Sequence, residues 1–459
     1  MEGVMKNPPM YDYQYRALRW LCRNDGRGLL AIDMRLGKTR ISLEWLKRNK
    51  RGLPALVVCP ATIKHVWEEE ISKWTDFTCA VVGGRKTKRE NPWTKRNVDI
   101  LIINYDVLFH WRRVFRQFPA QTIIFDESHY MSNPEETKMV FKTKRVRAGV
   151  EVANHVPHVI CLSGTPIKNR PCELFPVLHI LDYENFRKFW PYAIRYCDLK
   201  YGRFDWDWKG SGNLSELKEK IEHIVLRIRK KDVLDQLPDK VTSAIPVDLS
   251  NRKEYKKAED DFISWLEATG GNVKGAKKAQ ALMKINELKR MAGLGKVKAI
   301  NDWIKNYLKF KGKLVVFTSN VKPKEAILSD FSDSVGVDGQ TPLKRRQEAV
   351  EAFQRPSGTS LFVGTMKACG EGIRLDAGNV VCFAEMDWTP SIHDQAADRV
   401  WNKDKDKIDI IYFIAKNTVE ERVLELLNQK REVMTSLIDG GDIDTSGSVE
   451  ELLLETFRS

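Results

Sequence analysis

The sequence predicts an α/β protein made of two parallel-sheet lobes in tandem, with a helical insert between them. Three observations carry that expectation. Short continuous apolar runs recur through the first part of the chain, each ending in polar residues and separated from the next by helical or basic segments. A second set of such runs returns from about Lys296 onward, and the stretch between the two sets is lysine-rich with helical periodicity. Strands buried on both faces of a parallel sheet are apolar throughout, and their carboxyl ends gather polar groups along one edge.

Tyr11 to Leu21 opens the series as a helix, with Tyr11, Tyr15, Leu18 and Leu21 at helical spacing and Gln14 as the odd polar group. Leu29 to Thr39 then gives a buried strand, a tight turn and the start of a helix. Pro54 to Pro60 is a strand ended by proline, followed by a helix over Ala61 to Trp74 that sets Ile63, Val66, Trp67, Ile71 and Trp74 on one side. Asp99 to Tyr105 is another short apolar strand. Gln121 to Phe125 is a fourth, and it runs directly into Asp126-Glu127-Ser128-His129. His158 to Leu162 leads into Ser163-Gly164-Thr165-Pro166.

From Phe186 to Trp208 aromatic residues crowd together, either as core packing beneath a linker or as a base-stacking platform. Lys209 to Asn213 is a flexible turn. Leu214 to Leu237 is expected to be a basic helical segment containing Arg227, Arg229, Lys230 and Lys231 and stopped by Pro238, and Asn251 to Arg290 a lysine-rich helix broken at Gly270-Gly271. The second lobe starts near Lys296, with strands at Lys313 to Asn320, Ser360 to Thr365, Asn379 to Glu385 and Asp409 to Ile414. After Asp439 the tail is rich in Gly and Asp, and Val449 to Phe457 is spaced for a short amphipathic helix. The expected domains are therefore residues 1–197, an aromatic linker and basic insert over 198–295, a second lobe over 296–435 and a tail over 436–459.

At 459 residues, 42% hydrophobic and 30% charged, the composition is that of a globular chain of two to four domains. Lys and Arg total 76 against 62 Asp and Glu, a net charge of +14 that suits a polyanionic partner such as nucleic acid; a merely basic surface would give the same count. Eight cysteines occur with no C-x-x-C pair and no Cys/His cluster at zinc spacing, so no structural zinc is expected, and Cys59, Cys161 and Cys382 fall in apolar runs as reduced core thiols. The amino-terminal residues hold no apolar leader core, and no run approaches the ~18 apolar residues of a membrane span. The expectation is an intracellular chain in a reducing compartment: cytoplasmic or nucleoid-associated in a bacterial or viral setting, nuclear in a eukaryotic one.

Gly37-Lys38-Thr39 is where chemistry enters. A nucleoside triphosphate needs inward-pointing N–H groups, a helix N-terminus, a cation and a Mg²⁺ ligand, and these three residues with the following helix supply all four. Ile32 stands where the full G-x-x-x-x-G-K-T pattern has its first glycine, and a bare G-K-T also occurs at ordinary helix starts. Asp126-Glu127 at a strand end completes one mechanism with it, Asp126 holding hydrated Mg²⁺ and Glu127 orienting and deprotonating the attacking water. Gln14 is either a solvated helix residue or an adenine-reading amide.

With these residues in place the chain resembles a superfamily-two helicase of the Swi/Snf type, from about Tyr11 to Val433. Gln14 matches the adenine-reading glutamine, Leu30 to Thr39 the Walker A loop, Asp126 to His129 a DEAH-like Walker B box, and Ser163 to Pro166 the motif that couples to hydrolysis. Gly370-Glu371-Gly372-Ile373-Arg374-Leu375 resembles motif V, and Gln395 to Arg399 the start of motif VI. Arg195 to Asp198, Trp206 to Asn213, Asp232-Val233-Leu234 before Leu237-Pro238, and Ala384 to Pro390 resemble the HepA-related annealing-helicase branch. Two departures stand out. Arg35 occupies the loop's extra glycine position, and Asn402 replaces the second arginine of motif VI, followed by Lys403-Asp404-Lys405.

The resemblance implies two RecA-like lobes that hydrolyse ATP with Mg²⁺ and step along the phosphate backbone of duplex or forked DNA, with little sequence specificity. It implies nucleotide contacts from Gln14, Arg35, Leu36, Gly37, Lys38, Thr39, Gly372 and Arg399, metal contacts from Thr39 and Asp126, and catalysis by Lys38, Asp126, Glu127 and Arg399. Lys64, Asn104, Thr318 and Lys367 fall in segments that bear nucleic-acid contacts in the family. A monomer is expected. A slow, nucleotide-gated DNA clamp and an RNA-directed helicase are the alternatives left open.

Overall fold

The computed structural model describes residues 9–84, 91–132, 136–137, 140–141, 143–154, 156–166, 170–201, 206–208, 210–233, 239–268, 276–310, 312–370, 372–401, 407–425 and 427. The chain divides into two compact units between Asp235 and Gln236.

In the first unit, seven parallel strands form one sheet. They are β1 (Gly28–Ile32), β2 (Ala55–Cys59), β3 (Cys79–Val81), β4 (Ile100–Asn104), β5 (Thr122–Asp126), β6 (His158–Ser163) and β7 (Val225–Ile228), in the order β7-β1-β6-β5-β2-β4-β3. Every residue of β1, β2, β4 and β5 is buried, which is why these segments are apolar throughout rather than alternating. The period of two is still there, but it sorts residues between two cores: Leu29 and Ala31 pack into one, Leu30 and Ile32 into the other. Register sets Ala31 beside Ser163 and Leu162 beside Asp126, so the polar ends of β1, β6 and β5 meet at one edge.

The basic stretch expected to be one helix from Leu214 to Leu237 is not one. A short helix covers Leu214–Ile221, after which Val225 to Ile228 pair with Leu29 to Ile32 as the edge strand β7. Burial beside β1 outweighs the charges that made the segment resemble a solvated helix, and Ile228 is almost fully buried. The aromatic stretch splits by face. Phe186, Phe189, Tyr192 and Tyr196 are buried, whereas Trp190, Tyr201 and Trp206 are exposed and touch edge to face; Phe204 lies outside the described residues.

Six parallel strands make the second sheet: β8 (Asp239–Val247), β9 (Leu314–Thr318), β10 (Ser334–Val337), β11 (Leu361–Thr365), β12 (Val380–Phe383) and β13 (Lys407–Ala415), in the order β8-β13-β12-β9-β11-β10. No element boundary falls at Lys296. A helix of 35 residues, Ala276–Phe310, runs straight through it, following a separate helix over Arg252–Ala268. Glycine at 293 lets the long helix approach the end of β12, since an added Cβ would lie 2.5 Å from Glu385 Oε1. The segment expected as an insert thus contributes β7 to the first sheet and β8 to the second. Gly270-Gly271 and the Val449 to Phe457 helix lie outside the described residues.

Lys296 is wholly buried, with Nζ 2.7 Å from Glu420 Oε2 and donating to Phe413 O at 2.7 Å. Glu420 Oε2 also accepts the Ala415 N–H at 2.9 Å. Removing one partner of such a pair strands the other charge, at about 3–5 kcal/mol. Glu420→Leu is therefore expected to lower stability by about that amount in urea denaturation of the full chain, and Lys296→Met in the same background to recover most of it. All eight cysteines are free thiols, with Cys59, Cys161 and Cys382 buried in strands. No described helix is long and apolar enough to cross a membrane.

Candidate active site

β1 ends at Ile32 and the chain turns through Asp33 to Leu36 before entering the helix Lys38–Arg48. Gly37 caps that helix at φ 82°, and an added Cβ there would fall 2.4 Å from Gln14 Nε2. Only glycine meets both demands. Arg35 also adopts a left-handed conformation, φ 64°. The loop therefore keeps a turn that glycine makes freely, at a cost of about 1–2 kcal/mol for a side chain.

Gln14 is buried, not solvated. Its Nε2 donates to Leu36 O at 3.1 Å and its Oε1 accepts the Tyr11 N–H at 3.0 Å, so the amide braces the loop against the first helix. Lys38 is buried as well, with Nζ donating to Ile32 O at 2.8 Å and Asp33 O at 3.3 Å. Burial pulls its ammonium down from the usual lysine range, while the charges of Glu127, Asp126 and Asp33 act to restore it.

Asp126 ends β5. Its Oδ2 accepts the Trp67 indole N–H at 2.8 Å and its Oδ1 the Glu127 N–H at 2.9 Å, while the Tyr105 hydroxyl donates to its backbone carbonyl at 2.8 Å. Burial first, then the adjacent Glu127 charge, pushes the Asp126 carboxyl up to about 7 against the pull of Trp67 and Lys38. Glu127 sits at φ 49°, a left-handed position that a non-glycine residue adopts only when its surroundings enforce it. His129 Nδ1 stands 3.2 Å from Glu127 Oε2 and 3.1 Å from Ser163 Oγ, and Ser163 Oγ accepts the Thr165 N–H at 3.1 Å. One imidazole thus joins the carboxylate turn to the Ser163 to Pro166 segment.

Trp67 and Tyr105 were not legible as site residues. In sequence they are an apolar-face tryptophan and a tyrosine after a strand; the sheet order, with β2 beside β5 and β4 next after β2, is what brings both to Asp126.

Lys64 and Asn104 lie at the same carboxyl edge, Lys64 at the start of the helix Lys64–Trp74 and Asn104 at the end of β4. In the second unit Thr318 ends β9 fully buried, its hydroxyl donating to Asn320 O at 2.9 Å, so it presents no surface to a phosphate. Lys367 is exposed, with Nζ 3.4 Å from Asp387 Oδ2. Arg399 donates to Gly370 O, and its own carbonyl accepts the Leu375 N–H at 2.8 Å, so the two segments resembling motifs V and VI pack together. Gly372 is exposed at φ 72°. Asn402 to Lys405 and Glu371 lie outside the described residues.

A buried cation, two buried carboxylates and a helix N-terminus converge on one sheet edge. That donor set fits a triphosphate and the divalent cation that travels with it: the carboxylate of Asp126 is oxygen-only and buried, and Lys38 rests on neutral carbonyls.

Comparison with known proteins agrees with this chemistry. An SNF2-related domain matches residues 13–293 and a helicase conserved C-terminal domain matches residues 295–404. The chain is 29% identical over 441 residues to a Caenorhabditis elegans homologue of SWI/SNF-related matrix-associated actin-dependent regulator of chromatin subfamily A-like protein 1, covering 93% of this chain and 61% of that protein. It is 31% identical over 424 residues to the Drosophila melanogaster protein of that name, covering 90% of this chain and 54% of the relative. With human DNA annealing helicase and endonuclease ZRANB3 it shares 28% over 446 residues, 93% of this chain and 40% of the relative. A Sulfolobus solfataricus SWI2/SNF2 ATPase core in complex with dsDNA aligns at 25% identity over 95% of this chain and 94% of that one, with a TM-score of 0.43. The chain spans 40% to 61% of the length of these three curated relatives.

Proposed function

Since the chain belongs to the SNF2-related family of helicase-like ATPases, we propose that it hydrolyses ATP at the loop Asp33 to Thr39 and uses the cycle to translocate along duplex or forked DNA without reading its sequence. The observation that carries this is the convergence of Lys38, Asp126 and Glu127, all buried, at the carboxyl edge of the first sheet. Lys38 leaves its carbonyl partners for the β- and γ-phosphates. Glu127 takes a proton from the water that attacks the γ-phosphorus as the bond to the bridging oxygen breaks and ADP departs. Thr39 and Asp126 would hold Mg²⁺, which supplies charge neutralisation on the phosphates. Gln14 would read adenine once its amide leaves Leu36 O or the Tyr11 N–H, and Arg399 would be the arginine that motif VI contributes. Lys64 at the carboxyl edge and the exposed Lys367 favour phosphate contacts over base contacts, whereas Asn104 is buried at the end of β4.

ATP turnover of the full chain, alone and with duplex DNA, a DNA fork or RNA of equal length, tests the reading. Duplex and fork are expected to stimulate turnover and RNA is not. Stimulation by RNA alone would establish an RNA-directed enzyme, and no stimulation by any of them would remove the motor reading. Translocation is expected to displace the third strand of a triplex without opening a plain duplex. If several phosphates are neutralised, DNA affinity is expected to fall about 10³-fold between roughly 50 and 200 mM salt, read by fluorescence anisotropy.

A further inference from the structure

Asp33, the first residue after β1, is gripped at three points by the chain around β7. Its N–H donates to Ile228 O at 3.0 Å. Its Oδ1 lies 2.9 Å from Arg227 Nη1, and its Oδ2 accepts the Lys230 N–H at 2.9 Å. The same Arg227 nitrogen stands 3.0 Å from Ala31 O in β1 and 3.4 Å from Gly164 O. One guanidinium therefore touches the strand before the phosphate loop, the loop itself and the segment after β6. The remaining polar group of Asp33, its carbonyl, is one of the two on which Lys38 Nζ rests.

This layout matters because Asp33 carries a negative charge close to the lysine that must receive phosphate. A carboxylate holds an ammonium more strongly than a neutral carbonyl does, because it adds the attraction of an opposite full charge. Left loose, Asp33 would compete with the γ-phosphate for Lys38; held by Arg227 and the Lys230 N–H, it offers the lysine only a carbonyl, which a phosphate displaces easily. The electrostatic pull of Asp33 on Lys38 is already felt at rest.

We propose that Arg227 and Asp33 form a positioning pair of the nucleotide site, in which the arginine holds the Asp33 carboxylate away from Lys38 so that the lysine stays available to phosphate. The proposal rests on the ATPase reading above. It extends the site to β7, a strand outside the loop and carboxylate motifs, and to the segment by which the chain leaves the first unit.

The test is equilibrium binding of a fluorescent ATP analogue with Mg²⁺ to the full chain, together with steady-state KM and kcat, for the parent, Arg227→Gln, Asp33→Asn and the double variant. Arg227→Gln is expected to weaken binding and raise KM about tenfold, with a smaller change in kcat, as befits one lost charge-assisted hydrogen bond. The double variant is expected to return to within about threefold of the parent, because a neutral amide no longer competes for Lys38. Unchanged binding in Arg227→Gln overturns the proposal, and so does a double variant as weak as Arg227→Gln, since the loss would then not come from a loosened Asp33 carboxylate. A binding loss that only tracks a loss of stability in urea denaturation of the same variants also overturns it, because a pair that merely holds the fold moves both together. If Arg227→Gln does not fold, Arg227→Lys carries the test, with a smaller loss that Asp33→Asn must also reverse. Lys38→Ala separates the two readings. Binding that ignores Lys38 defeats the ATPase reading and this one with it, whereas binding that needs Lys38 and ignores Arg227 defeats the positioning pair alone.

Discussion

Lys38→Ala and Glu127→Gln are each expected to abolish ATP hydrolysis, by different routes. In Lys38→Ala the buried cation facing Asp126 and Glu127 is gone, and nothing replaces it against the β- and γ-phosphates. Nucleotide affinity should fall and turnover with it. Glu127→Gln keeps the shape of the side chain and the left-handed turn at φ 49° but removes the base. Binding should stay near that of the parent while kcat drops by about 10²- to 10⁴-fold, the usual worth of a positioned general base. A fluorescent-nucleotide titration run beside a phosphate-release assay separates the two routes. Near-normal turnover in either variant would remove the assigned role.

Arg399→Ala is expected to lower DNA-stimulated turnover about 10³-fold, the loss typical of an arginine that neutralises the transferring phosphate. Asn402, at the position of motif VI's second arginine, brings hydrogen-bonding capacity but no charge. Restoring the family residue with Asn402→Arg distinguishes two kinds of molecule. A turnover within a few-fold of the parent, together with collapse in Arg399→Ala, is the expected outcome and means that Arg399 suffices. A gain of about tenfold or more in Asn402→Arg would instead mark a slow ATPase that spends most of its cycle as a nucleotide-dependent clamp.

Most of both sheets could be foreseen because strands such as Leu56-Val57-Val58 and Val315-Val316-Phe317 are buried on both faces and carry no polar residue to disguise them. β7 escaped for the opposite reason. Its four residues include Arg227 and stand beside Arg229, Lys230 and Lys231, so composition pointed to a solvated helix while pairing with β1 decided the outcome. Lys38, Thr39, Asp126 and Glu127 stood out as candidates because the chemistry they suggest is local to one turn or one strand end. Trp67, Tyr105 and Arg227 reach the same site from far along the chain, and no spacing within a single segment announces such a contact. Gln14 was visible as an anomaly, but only the fold showed that its amide braces Leu36. At Arg35 the missing glycine suggested a changed loop, and the backbone instead keeps the left-handed turn.

The position of β1 between β6 and β7 has a consequence for biosynthesis. Leu29 pairs on one side with Cys161 and on the other with Val225, both far downstream. Contacts so distant in sequence form late, since the intervening chain must first be made and then closed into a loop. A nascent chain that has emerged only as far as His158 holds β1 without either neighbour, its backbone donors and acceptors open to pairing with another chain. Even at Cys197 one edge of β1 is still bare. The loop that opens at Asp33 lies 197 residues before Lys230, so its carboxylate and N–H gain their partners only once Lys230 and Ile228 have been made, and until then β1 keeps an open edge of the kind that favours misassembly.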